Sequence, residues 1–296
     1  MLSTCACLLT YKVENIPDLF LIIAVLFAAF LHALWNFILR DSNDKLLCMT
    51  AVVLGHLPLA IIGITIFGLP SFNGIYYILI SSFLHVLYQI FLLNAYRYGE
   101  LSEVYPIARG LSPLIIISIS LFFFDQNILF QEIVGIIFIS ISLIIYGLKQ
   151  FLNNSSNIKG FYLAVVTGCF IASYSIVDGH GARVTQNPVG FYSAMTLING
   201  MIFYFFAQWK DKQIIKKLFV SGKLLFLIGG SASYAAYAIV VWACLYLPIA
   251  VVSSIRETSI LFAILLGLFF LKEKINLTKS FLIIGLFFGL IFLRLG

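Results

Sequence analysis

Charge is what this sequence has least of. Asp, Glu, Lys and Arg make up 10% of its 296 residues, and 62% are hydrophobic, whereas a soluble domain is about a quarter charged. That balance excludes an ordinary water-soluble domain and points to an integral membrane protein. Cysteine is scarce too: Cys5, Cys7, Cys48, Cys169 and Cys244 show no pair of metal-ligand motifs, and three of them fall in apolar runs where a thiol is an inert packing group. No metal or cofactor is expected. The chain also lacks His-Glu-x-x-His, a paired-Asp motif and a phosphate-cradling Gly-rich loop. A Ser/His dyad sought in "GGSAS" finds the last His, His180, before Ser231, the reverse of the rhomboid order. No catalytic residue is assigned, and an intramembrane enzyme is the weakest functional reading. The formal net charge of +6 sits in short connectors and forms no basic face with interleaved aromatics, so nucleic acid is not an expected partner.

What is present is a series of long apolar runs. A span needs about 20 mostly apolar residues, and cutting at charges, Pro and Asn gives ten: roughly 19–39, 46–68, 74–96, 102–124, 129–148, 160–179, 188–209, 223–246, 249–271 and 277–294. They are too long and too uniformly apolar for barrel strands, so the expected fold is all-α, with neighbouring spans in antiparallel hairpins. The first run shows no small-residue cleavage pattern and reads as a retained helix. Connectors after spans 1, 3, 5, 7 and 9 hold nearly all the Lys and Arg. The opposite side holds Lys12, Arg183 and Arg294, while Arg109 and Arg256 lie inside spans. The positive-inside rule then places the basic connectors in the cytoplasm and both termini outside it, in a multi-pass protein of the cell (inner) membrane.

Compared at a shift of 148 residues, "AYRYGELSEVYPIARG" (95–110) lies over "ACLYLPIAVVSSIRET" (243–258), and "FFFDQNI" over "FFLKEKI". The halves 1–148 and 149–296 share the rhythm of their spans. Because five is odd, the second copy enters the membrane from the other side. Ten helices as two inverted five-helix repeats is an architecture of secondary transporters, whose sites lie near the midplane between the copies.

The stretches "HALWNFILRDSNDK" (32–45), "AYRYGELSEVYPIARGLSPL" (95–114) and "SSIRETSILFAILLGLFFLKEK" (253–274) resemble the EamA-type transporters of the drug/metabolite transporter superfamily. The resemblance implies a polytopic carrier of small metabolites working by alternating access. The family's usual Pro in span 9, matching Pro106 in span 4, is Ser254 here.

Charged side chains in a bilayer are expensive, so they face the bundle interior or find partners. In span 9, Ser253, Arg256 and Glu257 point to roughly one side. Arg256 and Glu257, about 100° apart on a helix, are not expected to pair with each other. Arg109 matches Glu257 at the 148 shift, which makes Arg109 with Glu257 the expected ion pair. Tyr105 shares the Arg109 face. Span 1 carries the stripe His32, Trp35 and Asn36, and span 3 the stripe His85, Tyr88 and Gln89. Tyr174 and Asp178 are four apart in span 6, where Gly179 and Gly181 are expected to loosen the helix end and Asp178 to be a solvated cap. Span 7 presents Tyr192, Thr196 and Asn199, span 8 Tyr234 and Tyr237, and Glu103 opens span 4 as a gate or cap.

The expected substrate-binding set is therefore His32, Trp35, Asn36, His85, Tyr88, Gln89, Tyr105, Arg109, Tyr174, Tyr234, Tyr237, Arg256 and Glu257. Two membrane arginines favour a small polar metabolite with an anionic group, an amino acid or related organic anion. The alternative is an exporter of organic cations or amphipathic drugs, held by Trp35, Tyr88, Tyr234 and Tyr237. Protons are candidate coupling ions through Glu257, Asp178, His32 or His85, and the partners are otherwise lipid and substrate, in a monomer or homodimer.

Overall fold

The computed structural model describes residues 16–39, 44–123, 128–154, 157–272 and 275–295. Cys5, Cys7, Lys12 and most of the "FFFDQNI" turn lie outside these residues. In a bilayer no water is available to backbone N–H and C=O groups, so a spanning segment must satisfy them internally. The described segments do so as helices, and ten of them are long and apolar enough to cross a membrane.

In chain order the α-helices are α1 (Asp18–Leu39), α2 (Lys45–Phe67), α3 (Ile75–Ala95), α4 (Leu101–Phe123), α5 (Phe130–Asn153), α6 (Ile158–Thr185), α7 (Pro188–Lys210), the short α8 (Ile214–Ser221), α9 (Gly230–Ala243), α10 (Ile249–Glu257) and α11 (Ser259–Leu271), which together form one span, and α12 (Leu277–Leu295). A π-helical turn, Leu225–Gly229, leads into α9. Side chains in the connectors cap the free ends. Asp44 accepts from Leu47 N, Asn157 from Lys159 N, Asn187 from Gly190 N and Asn276 from Lys279 N, all at 2.8–3.0 Å.

The structure departs from the sequence expectation in four places. The sixth span runs on to Thr185 rather than ending near Gly179. With no water to receive freed backbone groups, glycine does not end a membrane helix. It lets neighbours approach instead: a Cβ on Gly179 would lie 2.5 Å from Ile249 Cδ1. The connector after α7 folds as the short helix α8, anchored by Ile214 and Leu218. Beside it Lys217 bonds Asp211 at 2.5 Å and holds that carboxyl below its ordinary range. Asp178 is buried at 1% exposure, not a solvated cap. The ninth span breaks at Thr258 into α10 and α11. The break does not fall at Ser254, whose hydroxyl bonds back to Ala250 O at 2.7 Å within an unbroken turn.

Several helix pairings repeat when the two halves are exchanged, although α4 packs on α5 without a matching pairing of α10 or α11 on α12 among the described residues. α3 packs on α6 as α9 packs on α1; α4 packs on α6 as α10 and α11 pack on α1; α2 pairs with α7, and α5 with α12. The α2–α9 crossing is close backbone to backbone: a Cβ on Gly230 would stand 2.6 Å from Gly55 Cα. The outer helices expose residues such as Phe20, Ile23, Phe281 and Phe287, the apolar surface that a lipid environment covers. The polar residues turn inward.

Candidate functional site

Between the helices lies a cavity of about 140 Å³, room for on the order of ten waters at roughly 10–15 Å³ each. Its lining starts at mid-depth with Ala28, His32, His85, Arg109, Tyr174, Tyr237 and Arg256. It continues through Trp35, Asn36, Lys45, Cys48, Leu92 and Tyr96 to the end of the bundle where α1 meets α2 and α3 meets α4. That is the end with the basic connectors.

The opposite end is tied shut. Arg183 Nε donates to Cys244 O at 2.8 Å and its Nη2 to Leu247 O at 2.9 Å, joining α6 to the α9–α10 turn. Asn187 donates to Phe67 O at 3.0 Å, joining α7 to α2. Deeper in, the Ser193 and Tyr234 hydroxyls meet at 2.7 Å.

At mid-depth the expected ion pair is present: Arg109 Nη1 lies 3.0 Å from Glu257 Oε1. Arg256 also reaches that oxygen, Nη2 at 3.1 Å, which corrects the expectation that the two neighbours would not pair. Both residues lie within α10, and the long Arg256 arm curls along the helix so that Nε and Nη2 come to 3.4 and 3.1 Å from Oε1. One carboxylate thus serves two guanidinium groups, all three residues 5% exposed or less. The two arginines line the cavity and Glu257 does not.

Arg109 Nη2 also contacts His32 Nε2, which meets the Tyr105 hydroxyl at 2.9 Å. Guanidinium only donates, so that His32 nitrogen accepts from Arg109, and Trp35 Nε1 approaches the other ring nitrogen, Nδ1, at 3.4 Å. Ring faces complete the setting, with Arg109 Cζ 5.1 Å from the Tyr105 centroid and Arg256 Cζ 5.7 Å from that of Tyr237.

A second carboxylate lies toward the closed end. Asp178 Oδ2 accepts from Tyr237 OH at 2.6 Å and meets His85 Nε2 at 2.9 Å, while Oδ1 accepts from Ser81 OH. The His85 ring stacks on Tyr174 with centroids 4.0 Å apart. Gln89 and Asn199 exchange amide bonds at 3.3 and 3.4 Å across α3 and α7. Glu103, by contrast, accepts from Glu100 N and from Asn154 at 2.7 Å, a capping role away from the cavity.

Of the substrate-binding set expected from the sequence, all but Tyr234 and Glu257 line this cavity. Tyr234 is turned to Ser193, and Glu257 stands behind the arginines. The structure adds Lys45, Met49, His56, Met195 and Ser233 to the lining. Helical spacing gives a signal for His56, which lies seven residues after Met49 and four after Val52. Nothing in its own span marks Lys45, whose place follows from the open end.

A helical membrane protein whose internal cavity carries two arginines at mid-depth, reaches one end of the bundle and is tied shut at the other is the class that fold and site define. Within that class, residues 158–295 match the sequence model of the EamA-like transporter family, so the second half of this chain is similar to that family. The match implies a membrane transporter of the drug/metabolite transporter type. A solved structure described only as "Crystal structure of protein" superimposes with a TM-score of 0.66 at 13% identity, covering 93% of this chain and 96% of the other. That similarity shows the fold alone. No curated protein matches the chain.

Proposed function

We propose that the protein carries a small polar solute bearing an anionic group, an amino acid or related organic acid, by alternating access between its two repeats. The observation that carries this reading is that two cavity-lining guanidinium groups share one carboxylate hidden behind them. The cluster keeps one positive charge more than negative, and forked donors suit a carboxylate. The helix pairings that repeat on exchange of the halves support the inverted repeat. With the basic connectors in the cytoplasm of a cell (inner) membrane, the cavity of this state opens inward.

The organic-cation alternative is disfavoured by the same geometry, because Glu257 does not reach the cavity. Its aromatic set also loses Tyr234, which turns to Ser193.

A thermal-stabilisation screen on purified protein tests the reading, since a bound ligand raises apparent stability by mass action. Mono- and dicarboxylates and amino acids are expected to stabilise wild type and to lose that effect in Arg256→Gln. Stabilisation by quaternary ammonium compounds without any by carboxylates would overturn it.

A further inference from the structure

Tyr237, Val240 and Arg256 line both the cavity and a smaller space toward the closed end, and one hydrogen-bonded pair reaches from the first to the second. His85 lines the cavity. Asp178, bonded to it at 2.9 Å, lines the smaller void of about 10 Å³ with Ser175, Tyr237, Cys244, Ser253 and Arg256. That is about the space of one water. The Ser175 and Ser253 hydroxyls that border this void are buried without a protein partner among the described residues. The pair therefore has one member facing each space.

We propose that Asp178 and His85 form a proton site addressed from the cavity in this state and from the opposite membrane face once the tied end opens. It rests on the transporter reading only for what the proton is coupled to. With neutral His85 donating Nε2–H to Asp178 Oδ2, Nδ1 is a free base. A proton from the cavity adds there, giving an imidazolium beside the carboxylate. Transfer of the Nε2 proton to Oδ2 leaves neutral imidazole and a carboxylic acid at the small void, and water there receives the proton when Asp178 releases it.

Protonation also bears on the packing. The carboxylate accepts from three donors on two other helices, Ser81 and His85 on α3 and Tyr237 on α9. After the transfer the Oδ2–H donates back to the vacated His85 Nε2, and the neutral acid accepts the Ser81 and Tyr237 hydroxyls more weakly than the carboxylate does. That loosens the tie among α3, α6 and α9.

The charged and titratable groups around the pair are Tyr174 on α6, Tyr88 on α3, Tyr192 on α7, Tyr237 on α9, and Arg256, beyond the Tyr237 ring, on α10. Arg109, Glu257 and His56 stand farther off in the same polar interior.

The test uses full-length protein in liposomes adsorbed to a solid-supported membrane, and applies a pH step with no cargo present. Wild type is expected to give a transient current, because a proton entering mid-depth moves charge through low dielectric. Asp178→Asn and His85→Gln are expected to fall to the level of protein-free liposomes, while Glu132→Gln, a membrane carboxylate on α5, retains the transient. His85→Gln keeps an amide donor for Asp178 but no base, so it decides the matter if Asp178→Asn does not fold. No transient in wild type, or one of full size in either variant, overturns the proposal. A failed carboxylate screen leaves this result standing, and the reverse holds as well.

Discussion

Replacing Glu257 by Gln removes the one anion that, among the described residues, contacts two buried guanidinium groups. Both lie within 3.0–3.1 Å of Oε1, so the facing nitrogens are no more than about 6 Å apart. At an effective dielectric of about 20, two unit charges at that distance repel by about 3 kcal/mol. Truncating one partner of a buried pair costs about 3–5 kcal/mol in general. An expected loss of about 4 kcal/mol follows, roughly a thousandfold in the folding equilibrium. Arg109→Gln is milder, because Arg256 still pairs with Glu257. It removes one charge-assisted bond, about 2 kcal/mol. The double variant Arg109→Gln/Glu257→Gln leaves one unpaired cation instead of two and is expected to recover part of the loss. The measurement is equilibrium unfolding of purified protein in mild detergent with rising dodecyl sulfate. The reasoning fails if Glu257→Gln lies within about 1 kcal/mol of wild type, or if Arg109→Gln costs as much as Glu257→Gln.

Two further outcomes are expected. Gly230→Ala places a Cβ 2.6 Å from Gly55 Cα; backbone cannot yield as a side-chain tip does, so the α2–α9 crossing must part. The cost is about 1–3 kcal/mol, read by the same unfolding assay, and a neutral result would show that the crossing is looser than drawn. Arg183→Gln removes the bonds to Cys244 O and Leu247 O and is expected to favour the state open at that end. In a variant keeping Cys244 as its single cysteine, maleimide labelling of that buried thiol should speed up, and an unchanged rate would refute the role of Arg183 as a tie.

The residues themselves explain why some of this was readable in advance. Arg109 and Glu257 are 148 positions apart, the repeat shift, so a pattern in one dimension marked a contact in three. The stripes His32, Trp35, Asn36 and His85, Tyr88, Gln89 follow from 3.6 residues per turn, and they do face the cavity. Asp178 was not legible in this way. A carboxylate four residues from Tyr174 and next to two glycines reads as a helix end, and its partners Ser81, His85 and Tyr237 come from 97, 93 and 59 residues away.

Hydropathy and helical periodicity alone determined that this chain spans a bilayer, how many times it does so, and which faces of its helices are polar. These are local properties, set by the cost of exposing backbone and charge to lipid. Only the tertiary structure decided which end of the cavity is open and that Glu257 stands behind two arginines. It also decided that His85 faces the cavity and its partner Asp178 the smaller void beyond. Those depend on contacts between distant helices and on crossings permitted by single glycines, where a displacement of one methyl group's width decides which side chains meet.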